Sequence, residues 1–394
     1  MALLFVFWVS VFLIFYVYAG YPLFIYFLSN FGRPLLSSAE VRPYVTLLFA
    51  AYNEEDTIRE KLENCLALEY PREKLQILVV NDGSEDNTAS IIREFENQGI
   101  ELISYTSRRG KLSALKDAIQ NVKGDILFFS DADNFYPNNT ITEVVKYFAD
   151  PAVGGVSGGR EVIGETSLGK AEGMYWRYEE FIKICESRFG SCVGVAGDLL
   201  AIRKDSYSHP PIGIINDDFY IALGVIKNGK RMIYAPEARS FHPVAKSVRG
   251  EIERRARMVA GRYQAIFSGW KDLPYNQPLV VWQIISHKFM RPIVPIAMIL
   301  VFISNLLIVV SPGNHTAESS LLYLSRPYDY ICFALQVLFY LFAVLGALVK
   351  PKGTLGKVIF IPTFLVSSNL AALVGLFRYI TSRQSVLWNR SVRL

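Results

Sequence analysis

The spacing of apolar residues divides the chain into three stretches. Residues 2–32 contain no charged side chain. A helix needs about 20 apolar residues to cross a bilayer, so this run is long enough to cross with tilt. From Tyr44 the pattern changes to short apolar runs alternating with segments of helical spacing. From Pro292 long apolar runs return, at 292–310, 330–349 and 358–377. Ser311-Pro312-Gly313-Asn314 ends the first and Lys350-Pro351-Lys352 follows the second, while Pro362 and the softer Ser367-Ser368-Asn369 lie inside the third. A buried core helix is the alternative for any one of these; their number and near absence of charge favour spans. Residues 279–289 are apolar and aromatic, with His287-Lys288 near the end, which reads as an interfacial segment.

In the middle stretch each short apolar run breaks off in polar residues. Residues 44–50 read as a strand running into Ala51-Tyr52-Asn53-Glu54-Glu55-Asp56, followed by helix-forming sequence to about 68 and a break at Tyr70-Pro71. Residues 75–80 are a second strand ending at Asn81-Asp82-Gly83-Ser84, and Asp86-Asn87-Thr88 caps a helix to about 97. A third strand, 100–104, is followed by Arg108-Arg109-Gly110-Lys111 and a helix to 122; a fourth, 126–130, runs into Asp131-Ala132-Asp133. Further strands are expected at 199–202 and 232–235, with a helix between them from Asn216-Asp217-Asp218 to Lys227, ended by Asn228-Gly229. The alternation predicts a doubly wound α/β domain whose apolar strands pair in parallel. Ligands of such sheets sit beyond the carboxyl ends of the strands.

The chain has 394 residues, 51% of them hydrophobic, and a mean hydropathy of +0.25. That is high for a soluble enzyme, and the excess lies at the two ends. A net charge of +5 is mild. The nearest approach to a basic stripe is Arg254-Arg255-Ala256-Arg257, so no nucleic-acid partner is expected. Cys65, Cys185, Cys192 and Cys332 are scattered without CxxC spacing, which points to reduced, packed thiols. The first cations after the amino-terminal run are Arg33 and Arg42. The positive-inside rule then puts the following domain in the cytoplasm. A cleaved signal peptide would open on a positive segment and offer a small-residue cleavage site; neither is present, so a retained anchor is expected. Lys350, Lys352 and Lys357 agree with a cytoplasmic domain, whereas Arg378, Arg383, Arg390 and Arg393 fall in a tail that three further spans would leave outside.

Two strand ends presenting acids suit a divalent cation and a phosphorylated ligand, since magnesium takes one or two carboxylates plus substrate phosphates. Alternate residues of an extended segment point the same way, so Asp131 and Asp133 can face one site; solvated loop acids are the alternative. Asp82 can accept hydrogen bonds from a base or ribose, or can be an Asp-Gly turn residue. Lys111 can neutralise a phosphate, or be a solvated lysine at a helix start. Gly190 to Asp198 is rich in small residues, which admit a ligand's close approach or form a tight turn. Asp217 and Asp218 can be dipole partners in a first helical turn.

Taken in order, these segments resemble the family 2 glycosyltransferases with a GT-A fold, from about Tyr44 to Gly261. The branch resembled is the membrane-integrated one, which includes cellulose, chitin, hyaluronan and poly-N-acetylglucosamine synthases. Ala51-Tyr52-Asn53-Glu54-Glu55 is similar to the family's first nucleotide-contacting turn, which implies substrate contacts for Ala51, Asn53 and Glu54. Asn81-Asp82-Gly83-Ser84-Glu85-Asp86-Asn87-Thr88 resembles DDGSxDxT, in which Asp82 would read the uracil. Gly110-Lys111-Leu112-Ser113-Ala114-Leu115 resembles GKxxAL near the sugar diphosphate. Asp131-Ala132-Asp133 matches the metal-binding DxD, implying Mg2+ or Mn2+. The stretch from Gly190 to Arg203, with Gly197, resembles the acceptor-side loop. Asn216-Asp217-Asp218 stands where the family has TED, which implies Asp218 as general base with Asp217 beside it. The processive members carry QxxRW on a helix roofing the site; here Arg254 replaces Gln, Arg257 is retained and Met258 replaces Trp. The same run can instead lie on anionic lipid headgroups.

The resemblance implies inverting transfer from a UDP-sugar to a glycan or lipid-linked acceptor, at the inner membrane of a bacterial-type cell. A catalytically silent nucleotide-sugar sensor or scaffold is the alternative from another class. The expected organisation is an amino-terminal span at 1–32, a GT-A domain at 40–245, interface helices at 246–291, about three spans at 292–380 and a basic tail at 381–394.

Overall fold

The computed structural model describes residues 1–33, 40–163, 167–243, 248–311, 320–349 and 353–384. The uncharged amino-terminal run is helical throughout: α1 (Ala2–Phe15) passes through a π-helical turn at Tyr16–Gly20 into α2 (Tyr21–Ser29). Pro22 follows the π-helical turn inside this continuous helix; its missing N–H leaves the Tyr18 carbonyl without its i+4 donor, and that oxygen accepts from the Tyr178 hydroxyl at 3.0 Å.

The middle stretch builds a sheet with helices on both faces. Its first part contains β1 (Val45–Ala51), α3 (Ile58–Leu66), β2 (Leu75–Asp82), α4 (Thr88–Arg93), β3 (Ile100–Tyr105), α5 (Lys111–Ala118) and β4 (Ile126–Phe129). These strands fall within one or two residues of their expected bounds. Then follow α6 (Thr140–Val145), β5 (Val153–Ile163), α7 (Ser167–Phe189), β6 (Leu200–Arg203), α8 (Asp217–Lys227) and β7 (Arg231–Pro243). The sheet order is β3-β2-β1-β4-β6-β5-β7. β1 pairs in parallel with β2 and β4, but β6 runs antiparallel to both β4 and β5. The sheet is therefore mixed, where the strand pattern predicted parallel pairing. Alternating side chains fill two cores. Leu47, Phe49 and Val79 pack with Ile58, Leu62 and Ile141 on one face; Leu48, Leu78 and Val80 pack with Leu115, Ile221 and Tyr263 on the other.

α6, β5 and α7 had no counterpart in the sequence pattern. β5 is hidden by Gly154-Gly155 and Gly158-Gly159. Those glycines are required by close packing: a Cβ on Gly155 would meet Met232 Sδ at 2.3 Å, and one on Gly158 would meet the Ala238 carbonyl oxygen at 2.7 Å.

Beyond the sheet come α9 (Val248–Ser268), α10 (Pro278–Gln283), a π-helical turn at Ile284–Phe289, α11 (Val294–Val310), α12 (Tyr328–Val349) and α13 (Gly353–Ile380). Among the described residues four helices are long and apolar enough to cross a membrane: Ala2–Ser29, Pro278–Val310, Tyr328–Val349 and Ile361–Ile380. The second has 33 residues. At about 1.5 Å per residue it is much longer than the roughly 30 Å hydrocarbon layer, which leaves room for the interfacial segment expected at its start. α1 packs on α11 through Phe7, Val301 and Ile308. α2 packs on α7 through Tyr21, Ile25, Ile182 and Cys185. α13 lies across α9, where a Cβ on Gly375 would be 2.9 Å from the Ala256 carbonyl oxygen. All four cysteines are free, as expected. Pro312-Gly313-Asn314, Lys350, Lys352, Arg390 and Arg393 lie outside the described residues.

Candidate active site

β1 turns back to β2 and β3 on one side, while β4 lies on its other side. The switch point of the sheet is thus between β1 and β4, and the loops after these strands meet there. Ala51 is buried at the end of β1 opposite Asn81. Asn53 adopts a left-handed φ of 54°, which its short side chain tolerates. Its N–H donates to Ser84 Oγ at 3.1 Å, and its Oδ1 accepts from the Glu85 N–H at 2.8 Å. The Glu54 N–H donates to Thr88 Oγ1 at 2.8 Å, and the Glu54 side chain is almost fully buried. The two loops are therefore zipped into one wall.

Asp82 is buried at the end of β2 and accepts from the backbone N–H groups of Arg109 and Gly110, each at 2.8 Å. Its carboxylate pins the turn that starts α5. The Arg108 guanidinium stacks 4.0 Å from the Tyr52 ring centroid above the same wall.

From that helix start Lys111 Nζ donates to Asp131 Oδ1 at 2.5 Å, with both side chains 35% exposed. Burial works against the Lys111 ammonium, but Asp131, Asp217 and Asp218 outweigh it and hold its pKa above the lysine range. Burial and, less strongly, Asp198 push the Asp131 carboxyl up, and Lys111 with His242 brings it below its ordinary value. Asp133 is 5% exposed. Beneath the Asp131–Asp133 turn lies Lys61, fully buried on α3. Its ammonium donates to Ser130 Oγ at 2.8 Å, to the Asn134 carbonyl at 2.6 Å and to Asn134 Oδ1 at 2.9 Å. Burial lowers its pKa, against the opposing effects of Cys65, Asp131, Asp133 and Asp198. Asn134 Nδ2 ties the turn to Ser240 Oγ at 2.8 Å and to the Asp198 carbonyl at 2.9 Å. Asp198 Oδ2 meets His242 Nε2 at 2.6 Å, and the Arg160 guanidinium meets His242 Nδ1 at 2.9 Å.

Asp218 enters from the first turn of α8. A Cβ on Gly197 would be 3.2 Å from Asp218 Cβ, so the small-residue loop lies close against it. Burial, then the neighbouring Asp217, push the Asp218 carboxyl up to about 6, while Lys288, the Phe219 N–H and Lys111 act in the opposite direction. Arg257 on α9 is desolvated and responds to Asp217, Asp131 and Asp218. The segment before the acids is clamped by the same helix. Asn216 Nδ2 donates to the Met258 carbonyl at 2.9 Å, and Gln264 takes the Ile215 N–H at 3.0 Å and donates to the Gly213 carbonyl at 2.8 Å.

Lys111, Asp131, Asp217, Asp218, Gly197 and Arg257 thus converge from five separate segments, with Asp133 one turn deeper. Arg254 meets the Met258 sulfur at 3.4 Å. Lys61, Asn134, Asp198, His242 and Lys288 are the members that sequence reading missed. Lys61 looked like one charge of an amphipathic helix, and its only signal was a lysine in line with the apolar face at Ile58, Leu62 and Cys65. Among the described residues no three His, Cys, Asp or Glu form a closed metal cage. Two adjacent carboxylates of a hard, oxygen-donating pair are nevertheless the set that magnesium or manganese shares with substrate phosphates, so the residues fit such an ion.

Residues 46–209 match the family model for glycosyl transferase family 2. The chain is 29% identical over 229 residues to a poly-beta-1,6-N-acetyl-D-glucosamine synthase of Staphylococcus aureus (strain MSSA476), covering 56% of this chain and 55% of that one. It is 27% identical over 245 residues to the enzyme of that name from Staphylococcus epidermidis, covering 60% and 59%. The chain thus spans little more than half the length of the curated relatives it matches. Among solved structures, a mannosyltransferase from Pyrobaculum calidifontis in complex with GDP-Man and Mn2+ superposes with a TM-score of 0.71 over 96% of this chain and 99% of that one, at 22% identity. Residues 46–209 are therefore matched as a glycosyl transferase family 2 domain, and the fold around them is GT-A. It is flanked by four candidate membrane helices, and its sequence relatives are polysaccharide synthases.

Proposed function

We propose that the protein is an integral membrane, inverting glycosyltransferase that moves a sugar from a UDP-sugar to a glycan or lipid-linked acceptor, with its catalytic domain in the cytoplasm. The observation that carries the proposal is the meeting of Asp131, Asp217 and Asp218 around Lys111 and Arg257. Asp218, with a pKa of about 6, is ionised at neutral pH yet basic enough to take the acceptor's hydroxyl proton. The freed oxygen attacks the anomeric carbon opposite the departing diphosphate. Lys111 and Arg257 supply fixed positive charge where the diphosphate leaves, and Gly197 leaves room for the acceptor beside Asp218. Asp82, Asn53 and Glu54 shape the wall for the nucleotide, with Ala51 beneath and Arg254 at the roof. Asp133 and Asp131 would hold Mg2+ or Mn2+, which neutralises charge on the diphosphate. The Mn2+ in the Pyrobaculum mannosyltransferase structure supports divalent metal use. Its GDP-Man makes a guanine nucleotide the donor to compare.

The test is nucleotide release by purified full-length protein from panels of UDP- and GDP-sugars. Turnover with UDP-sugars, abolished by Asp133→Ala and by EDTA, is expected. Nucleotide binding without turnover of any donor would favour a silent sensor, and full activity in EDTA would remove the metal from the scheme.

A further inference from the structure

Lys288, which acts on Asp218, is itself flanked by two further cations. Lys183 on α7 and Arg262 on α9 both lie within electrostatic reach of Lys288, in the π-helical turn at Ile284–Phe289. Among the described residues none of the three side chains forms an ion pair or donates a hydrogen bond. Lys183 is 6% exposed, with its ammonium 5.0 Å from the Tyr234 ring centroid. It flanks the small-residue loop: a Cβ on Gly194 would be 3.2 Å from both Lys183 Cε and His287 Cε1.

Among the described residues the two nearby glutamates are already committed. Glu179 pairs with Arg291 and meets His287 Nε2 at 3.1 Å. Glu186 accepts from the Tyr21 hydroxyl at 2.6 Å and the Val193 N–H at 3.0 Å, and meets His287 Nδ1 at 2.7 Å. Like charges in desolvated surroundings repel one another, and a bound anion relieves both penalties.

The position is distinct from the diphosphate side. Lys111 and Arg257 respond to Asp131, Asp217 and Asp218 together. The charges acting most on Lys288 are Arg262, Glu179, Lys183 and Asp218. Asp218 thus feels Lys111, which pairs with Asp131, and separately Lys288, which feels Lys183 on the helix that α2 packs against.

We propose that Lys183, Arg262 and Lys288 bind a phosphate group carried by the sugar acceptor, and so present the acceptor's hydroxyl to Asp218. This rests on the reading of Asp218 as the base of a transferase. The phosphate is a spectator. The acceptor oxygen bonds to the anomeric carbon, the bond from that carbon to the diphosphate oxygen breaks, and the hydroxyl proton goes to Asp218. Two compact ammoniums and a guanidinium supply the charge-assisted donors that phosphate oxygens take. Both a lipid-borne and a soluble phosphate meet this chemistry, and the seam beside the first candidate span gives a lipid a route to it.

The test uses full-length protein in phosphatidylcholine nanodiscs, probed with radiolabelled polyprenyl phosphate, polyprenol of equal length and inorganic phosphate. The wild type is expected to bind polyprenyl phosphate at least about tenfold more tightly than polyprenol. Lys183→Met, Arg262→Met and Lys288→Met should each remove most of that preference, because a charged hydrogen bond is worth roughly tenfold or more. UDP affinity should stay within about twofold, reporting an intact donor side and fold, and Lys288→Arg should retain the preference because it keeps the charge. Inorganic phosphate held by the wild type and lost in the variants, with no preference for the lipid, assigns the phosphate to a soluble acceptor. Phosphate binding unchanged in all three variants overturns the proposal. A wild type that binds neither UDP nor GDP would instead overturn the transferase reading beneath it.

Discussion

Asp218 is held between opposing influences. Burial and Asp217 push its carboxyl up to about 6, and Lys288 and Lys111 restrain it. A base is active when ionised, so kcat/KM should fall about tenfold per pH unit below this value and level off above it. Asp218→Asn should remove the transfer while UDP binding by calorimetry persists; a flat profile down to pH 4.5 would refute the assignment. Lys61 acts one layer deeper. Its ammonium is the common donor to Ser130 and Asn134, so Lys61→Met leaves buried acceptors without their donor. A loss of roughly 2–4 kcal/mol of stability is expected, measured by thermal unfolding in detergent.

At the scale of elements, α9 does two jobs. It brings Arg257 over the acids, and it grips residues 213–216 immediately before them through Met258 and Gln264. Gly261 is where the grip is tightest, since a Cβ there would be 2.6 Å from the Asn216 side chain. Gly261→Ala should shift Asn216 and with it Asp217 and Asp218. A misplacement of about 1 Å can cost roughly a hundredfold in rate. The variant should lose turnover while holding UDP as tightly as before, read by parallel rate and titration measurements. The π-helical turn at Ile284–Phe289 has a comparable effect. It sets adjacent residues to different tasks, His287 among buried glutamates and Lys288 toward Asp218.

For the whole molecule, four candidate spans among the described residues are an even count, so residues 2 and 381 should lie on one side of the membrane and the domain on the other. Cysteines placed at Ala2 and Thr381 should react with an impermeant maleimide from outside, and one at exposed Glu60 should not. Labelling of Glu60→Cys from outside would invert the orientation.

The strands at 45–51, 75–82 and 126–129 were readable because each is an apolar run stopped by acids, a local pattern that burial on both faces imposes. The same pattern made Asp131, Asp133 and Asp82 visible, and the apolar ends announced the membrane helices. β5 was not legible, because close packing against Met232 and Ala238 demanded glycines that erase the strand signal. β6 was placed, but not its reversed direction, since periodicity carries no sense of which neighbour a strand pairs with. By itself the sequence determined the α/β alternation, the spans and the acids at the strand ends, all set by nearest neighbours along the chain. Only the tertiary structure decided that Lys61 lies under the Asp131–Asp133 turn, that Asp82 anchors the turn before α5, and that Lys183 and Arg262 come within electrostatic reach of Lys288. Electrostatics acts through space, and residues dozens of positions apart become neighbours only after the chain has packed.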